Sequence, residues 1–145
     1  MEYCRFGDTY TVRLDKGEEI VTSLLMLQEK EQLSFASVQG LGATDAFTVG
    51  VFQTTEKKFI GTDYHGDHEI VSLAGSLDRK DGQCYAHLHM SAAESGTNQV
   101  VGGHLIRARI SATAELFVRV LPGTAERRFD EETGLNLWNF AKEKN

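Results

Sequence analysis

The sequence has little of what staples, punctuates or anchors a small protein: one proline, Pro122, and two cysteines, Cys4 and Cys84, in 145 residues. With 41% hydrophobic and 25% charged residues, the composition excludes a linker-rich or disordered chain. Two thiols in an intracellular chain are more often reduced and buried than bridged, so no disulfide framework is expected. No stretch approaches the ~20 uncharged apolar residues of a membrane span. Glu2, Arg5 and Asp8 fall within the first ten positions, where a secretory signal would need an apolar segment. The expectation is a soluble, cytoplasmic protein with no membrane partner.

Basic charge is scarce as well. Lys and Arg together number 15 against 21 Asp and Glu, a formal charge of −6. A bare chain that binds nucleic acid usually presents a basic face to release counterions, so direct DNA binding is doubtful here. The adjacent basic pairs Lys57-Lys58 and Arg127-Arg128 have acids close by and read as solvated surface.

What is present is a pattern of short apolar alternations. A chain of this length can build one hydrophobic core, and residues 1–145 are read as a single domain. Residues 9–14 alternate as a first strand, with Tyr10, Val12 and Leu14 on one face. Asp15 followed by Glu18 has the form of a helix-start box, and Ile20, Val21, Leu24, Leu25 and Leu27 then recur at helical spacing to about Leu33. From Ser34 onward the period is two. Strands are expected near 35–39, 44–53, 57–64, 69–77, 83–91 and 106–121, the last bent or broken near Thr113, with a turn at Asp81-Gly82. The tail from Asp130 to Phe140, which carries Leu135, Leu137 and Trp138, is expected to return to the core.

One helix among six or more closely joined strands cannot be a parallel design, because each parallel crossover needs a long connection of its own. The fold class is therefore α+β, a mostly antiparallel sheet with one principal helix.

Three of the five histidines carry the chemistry: His87 and His89, then His104 after Gly102 and Gly103. Residues two apart in a strand share a face, so His87 and His89 stand side by side while Cys84, Ala86, Leu88 and Met90 face the other way, toward the core. A third imidazole on the next strand, over a glycine turn, places three nitrogens around one ion at ~2.0–2.1 Å. The paired glycines suggest a bend or a close backbone approach. Three neutral imidazoles suit zinc or another divalent first-row metal, with the fourth position free for water, an anion or a small ligand. The same alternation also suits two half-exposed polar side chains with no ion. His65 and His68, beside Asp63 and Asp67, read as a solvated turn.

The blocks Phe35-Ala-Ser-Val-Gln-Gly-Leu-Gly-Ala-Thr-Asp-Ala-Phe, Glu69-Ile-Val-Ser-Leu-Ala-Gly-Ser-Leu, His87-Leu-His-Met-Ser and Gly102-Gly-His occur here in that order. In order and spacing the chain resembles the PPC domain (plants and prokaryotes conserved), a domain of unknown function, over nearly its whole length. The resemblance implies a compact antiparallel domain with one principal helix that assembles as a homotrimer. It also implies a metal site at His87, His89 and His104, zinc being the usual assignment. Plant members carry an AT-hook before the domain, which is the source of their DNA-binding label; no Arg-Gly-Arg-Pro segment occurs in this sequence. Where the plant proteins have Gly-Arg-Phe-Glu-Ile for partner contact, this chain has Gly66-Asp-His-Glu-Ile.

Two functions fit these residues. The first is a homotrimeric interaction or regulatory module, DNA-associated by family label, whose metal is structural or senses a small ligand. The second is a metal-dependent enzyme, which would need a general base near an open three-histidine site. Glu94 and Glu115 are the only acids considered for that part, and both read more simply as surface carboxylates. A concave pocket with a perturbed carboxylate would favour chemistry, and a flat patch would favour the module.

Overall fold

A computed structural model describes residues 1–140 as one eight-stranded sheet with a single helix. The strands are β1 (Glu2–Phe6), β2 (Thr9–Asp15), β3 (Ala36–Gln53), β4 (Lys58–Lys80), β5 (Gln83–Glu94), β6 (Val100–Val120), β7 (Glu126–Asp130) and β8 (Leu135–Trp138). The helix is α1 (Ile20–Lys30). The sheet runs β1-β2-β6-β3-β4-β7-β8, and β5 pairs with both β4 and β6. Strands β3, β4, β5 and β6 thus form a closed circuit of hydrogen-bonded neighbours. Every pairing is antiparallel except the short β4–β7 contact. The α+β, mostly antiparallel expectation holds.

Local chemistry explains the elements. The helix starts later than the Asp15–Glu18 box suggests, because Glu19 is its cap and accepts from the Val21 and Thr22 amides at 3.0 and 2.7 Å. Glu18 does reach back to the Asp15 amide at 2.8 Å, so the box forms one step outside the helix. The helix ends at Lys30, and Leu33 lies beyond it as a buried loop residue. Ile20, Leu24 and Leu27 point from α1 into the core, where Leu14, Phe47, Leu73, Leu77, Leu88 and Leu116 are also buried. Each such side chain taken from water contributes about 1.5–3 kcal/mol.

The strands are longer than their alternation indicates. The expected pairs 35–39/44–53 and 57–64/69–77 fuse into β3 and β4, and their registers slip at Gly40/Gly42 and Thr44/Ala46 instead of ending. The slips are bulges, which interrupt the period of two without ending a strand. Residues 65–68 are therefore strand and not turn. His68 is buried against Phe47 and Tyr64, with Nδ1 2.8 Å from the Gly66 carbonyl, while His65 is exposed. Asp81 and Gly82, with φ of 52° and 74°, make the two-residue hairpin turn expected between β4 and β5. Strand β6 runs unbroken through Thr113.

Candidate metal centre

Strand pairing gathers the three histidines. His89 on β5 lies directly across from His104 on β6, and His87 sits two residues along β5, on the same face. The β5–β6 pairing stops at this level, where β6 continues alongside β3 with Gly50 opposite His104. The cluster therefore stands where two strands part. The glycines between Val100 and His104 are not a turn, since Gly102 and Gly103 are inside β6, opposite Ser91 and Met90. What they provide is close approach: a Cβ on Gly103 would run into the Gly50 carbonyl, and one on Gly75 into the His87 carbonyl.

The ring centroids are 5.2 Å apart for His87–His104, 5.3 Å for His87–His89 and 5.6 Å for His89–His104. One nitrogen from each ring lies within 4.8 Å of the other two. Ligands held tetrahedrally at ~2.0–2.1 Å from an ion stand roughly 3.3 Å apart, so side-chain rotation on the order of an ångström closes the set. The donors are suited to it. Burial pushes the His87 imidazole down from an ordinary 6.5 to about 4, with the Arg127, His104 and His89 charges adding to the effect. Burial also lowers His104, followed by the charges of His89 and Arg127. A neutral imidazole has a lone pair for a cation, and a protonated one does not.

A cavity of about 600 Å³ opens over the cluster. Its walls come from residues 50–52, Phe59, Tyr85, Arg127 and residues 134–137, together with the three histidines. The edge of the Phe59 ring meets His104 at 5.8 Å between centroids. Among the described residues, no Asp or Glu lines the cavity. Glu94 and Glu115 lie elsewhere, Glu94 bonded to Thr97 and Glu115 against the β1–β2 surface.

Arg127, expected on a solvated surface, is buried instead, its side chain 6% exposed against a fully buried Asp78. Its Nε donates to both Asp78 oxygens at 2.8 and 3.0 Å, and its Nη2 donates to Oδ2 at 2.8 Å. Nη1 donates to the Asn136 carbonyl at 2.9 Å, and Trp138 Nε1 donates to Asp78 at 2.7 Å. The guanidinium lies over the rings of Tyr85 and Trp138. This network fastens β7 and β8 beside the cavity, which is how the tail returns to the body. Tyr85 could have been read from sequence, because the alternation that pairs His87 with His89 puts residue 85 on their face. Arg127 and Asp78 gave no such signal, as 49 residues separate them.

The fold and the cavity define a small antiparallel domain with a half-buried imidazole cluster. The sequence model of the Plants and Prokaryotes Conserved (PCC) domain matches residues 1–122, and the chain belongs to that family. A solved protein of Archaeoglobus fulgidus, described as metal-containing, shares 31% identity with a TM-score of 0.86, over 96% of this chain and 97% of its own. A candidate DNA-binding protein of Bacteroides thetaiotaomicron shares 26%, with a TM-score of 0.92 over 96% of each chain. A plant- and prokaryote-conserved protein of Pyrococcus horikoshii shares 27%, with a TM-score of 0.84 over 98% of this chain and 96% of its own. A search of curated proteins finds no significant match. Among the described residues, no helix is long and apolar enough to cross a membrane.

Proposed function

We propose that this protein is a homotrimeric, cytoplasmic regulatory or interaction module that holds a divalent first-row metal, zinc foremost, on His87, His89 and His104. The convergence of three ring nitrogens within 4.8 Å carries the reading. A cation held there with one position open would supply a positive centre for an anion or a carbonyl oxygen. The chain's own residues do the rest. The β5 alternation aims His87 and His89, burial keeps His87 and His104 neutral, and the glycines at 75 and 103 let the strands close behind the rings. The metal-containing description of the Archaeoglobus relative supports the reading.

The cavity supports a binding role over turnover. It is concave, but among the described residues no carboxylate lines it to serve as the general base of a hydrolysis. Exposed apolar side chains on the sheet, Val51 and Ile60 facing one another across β3 and β4 and Phe117 on β6, support self-association. The DNA association rests on the description of the Bacteroides relative, and the formal charge of −6 speaks against direct contact.

Metal analysis of protein purified without an affinity tag tests the centre, with about one equivalent per chain expected and His89→Ala emptied. Stoichiometric metal in that variant would overturn it. A mobility-shift titration at low salt is expected to show no retardation of duplex DNA. Sedimentation is expected to give three chains per particle.

A further inference from the structure

The cavity wall has a character that the metal reading alone does not explain. The chain carries 21 acidic residues, yet none among the described residues lines this cavity. The positive group that does line it, Arg127, is already neutralised from behind by Asp78. Away from the imidazoles the surface is largely apolar: the cross-strand pair Phe52 and Phe59 contributes to it, as do Leu135 and Leu137 of β8. At about 600 Å³, the space is large enough for a small organic molecule and far larger than one water or a lone inorganic anion needs.

We infer that the cavity binds a small organic carboxylate with an aromatic or branched apolar body, its carboxylate at the open side of His87, His89 and His104 and its body between Phe59 and the Leu135–Leu137 strand. The inference rests on the metal reading above and names the ligand class of that site. Three neutral imidazoles leave a divalent ion its full charge, and no acid among the described residues lines the cavity to balance it. Leu137 is 42% exposed and Phe52 and Phe59 are half-buried, so a ligand with an apolar body set against them removes apolar surface from water.

Strands β7 and β8 lie beyond the residues that the family model matches, and β8 supplies the Leu135–Leu137 wall. That wall sets which bodies fit.

The test is titration calorimetry of zinc-loaded protein with three probes: acetate, 3-phenylpropanoate and the neutral 3-phenylpropanol. The acid with the phenyl body is expected to bind at least tenfold more tightly than either of the others. Leu137→Gln is expected to bring it down toward acetate, and Phe59→Gln serves the same purpose on the opposite wall should the first variant fold poorly. Full zinc uptake with equal affinities for acetate and 3-phenylpropanoate would overturn the ligand class and leave the metal centre standing. Tighter binding of the alcohol than of the acid would overturn the anionic head. Failure to take up zinc would overturn the metal centre, and the ligand proposal with it.

Discussion

The molecule has two histidine regions, and only one gathers its rings. His87 and His89 are two apart on β5 and meet His104 across a strand pair, so the three share a face. His65 and His68 are three apart on β4, with a bulge between them that sets Thr44 opposite His68 and Ala46 opposite His65. One ring is buried against Phe47 and the other stays at the surface near Asp63 and Arg107. Spacing parity, not the number of histidines, decides whether a strand can present a ligand set. Environment then separates the two regions further, since acids and guanidinium groups surround His65 and neither carboxylate of the chain's flanking segments reaches His89.

That contrast can be broken most severely by removing one ring from the gathered set. Zinc sites in small peptides are worth ~10–16 kcal/mol, so loss of one ligand in three should cost on the order of 3–5 kcal/mol, roughly a thousandfold in affinity. His89→Ala should show this in a competition titration against a zinc chelator, and His65→Ala should leave affinity unchanged. Equal losses in the two variants would erase the distinction.

A backbone change sharpens it next. Gly103→Ala pushes a methyl group into the Gly50 carbonyl behind His104, and such overpacking typically costs about 1–3 kcal/mol. Chemical denaturation should register that loss, with zinc affinity falling alongside it. A variant as stable as the parent, with full zinc affinity, would show that close strand approach does not position the site.

Acid offers a gentler probe. In metal-free protein the folded His87 is held down to about 4 while the unfolded ring titrates near 6.5, so between these values the unfolded chain binds more protons. Stability therefore falls as pH drops from about 6.5 to about 4, and is independent of this ring above 6.5. Melting temperatures across that window should slope less in His87→Gln than in the parent. The smallest effect is expected at His65→Gln, an exposed position where stability should move by no more than ~0.5 kcal/mol.

Much of this was legible in the sequence for local reasons. The apolar face of β2, the helix that begins at Ile20 and the Asp81-Gly82 turn all follow from spacing and turn chemistry. So does the shared face of His87 and His89, because a period of two survives wherever a strand is regular. The bulges in β3 and β4 were not legible, since an inserted residue looks in sequence like a strand end, and His68 was misplaced into a turn for that reason. The short strands β1, β7 and β8 escaped as well. They are short, with charged or mixed faces: β1 and β8 are the edges of the sheet, and β7 is joined to its body only by the two-residue pairing with β4 far along the chain. Arg127 shows the limit most clearly: beside Arg128 and Glu126 it looks like solvent-facing charge, and only the distant Asp78 reveals its position.

The Arg127–Asp78 pair makes the C-terminal hairpin inseparable from the domain it flanks. A polypeptide ended at residue 122, the last that the family model matches, would lose Arg127 and Trp138, both bonded to Asp78, and would open that aspartate to water. Hydrogen bonds to a charged group contribute about 1.5–3 kcal/mol each, a large share of what holds a small domain together. The aspartate and the hairpin, 49 positions apart along the chain, thus share one unit of stability.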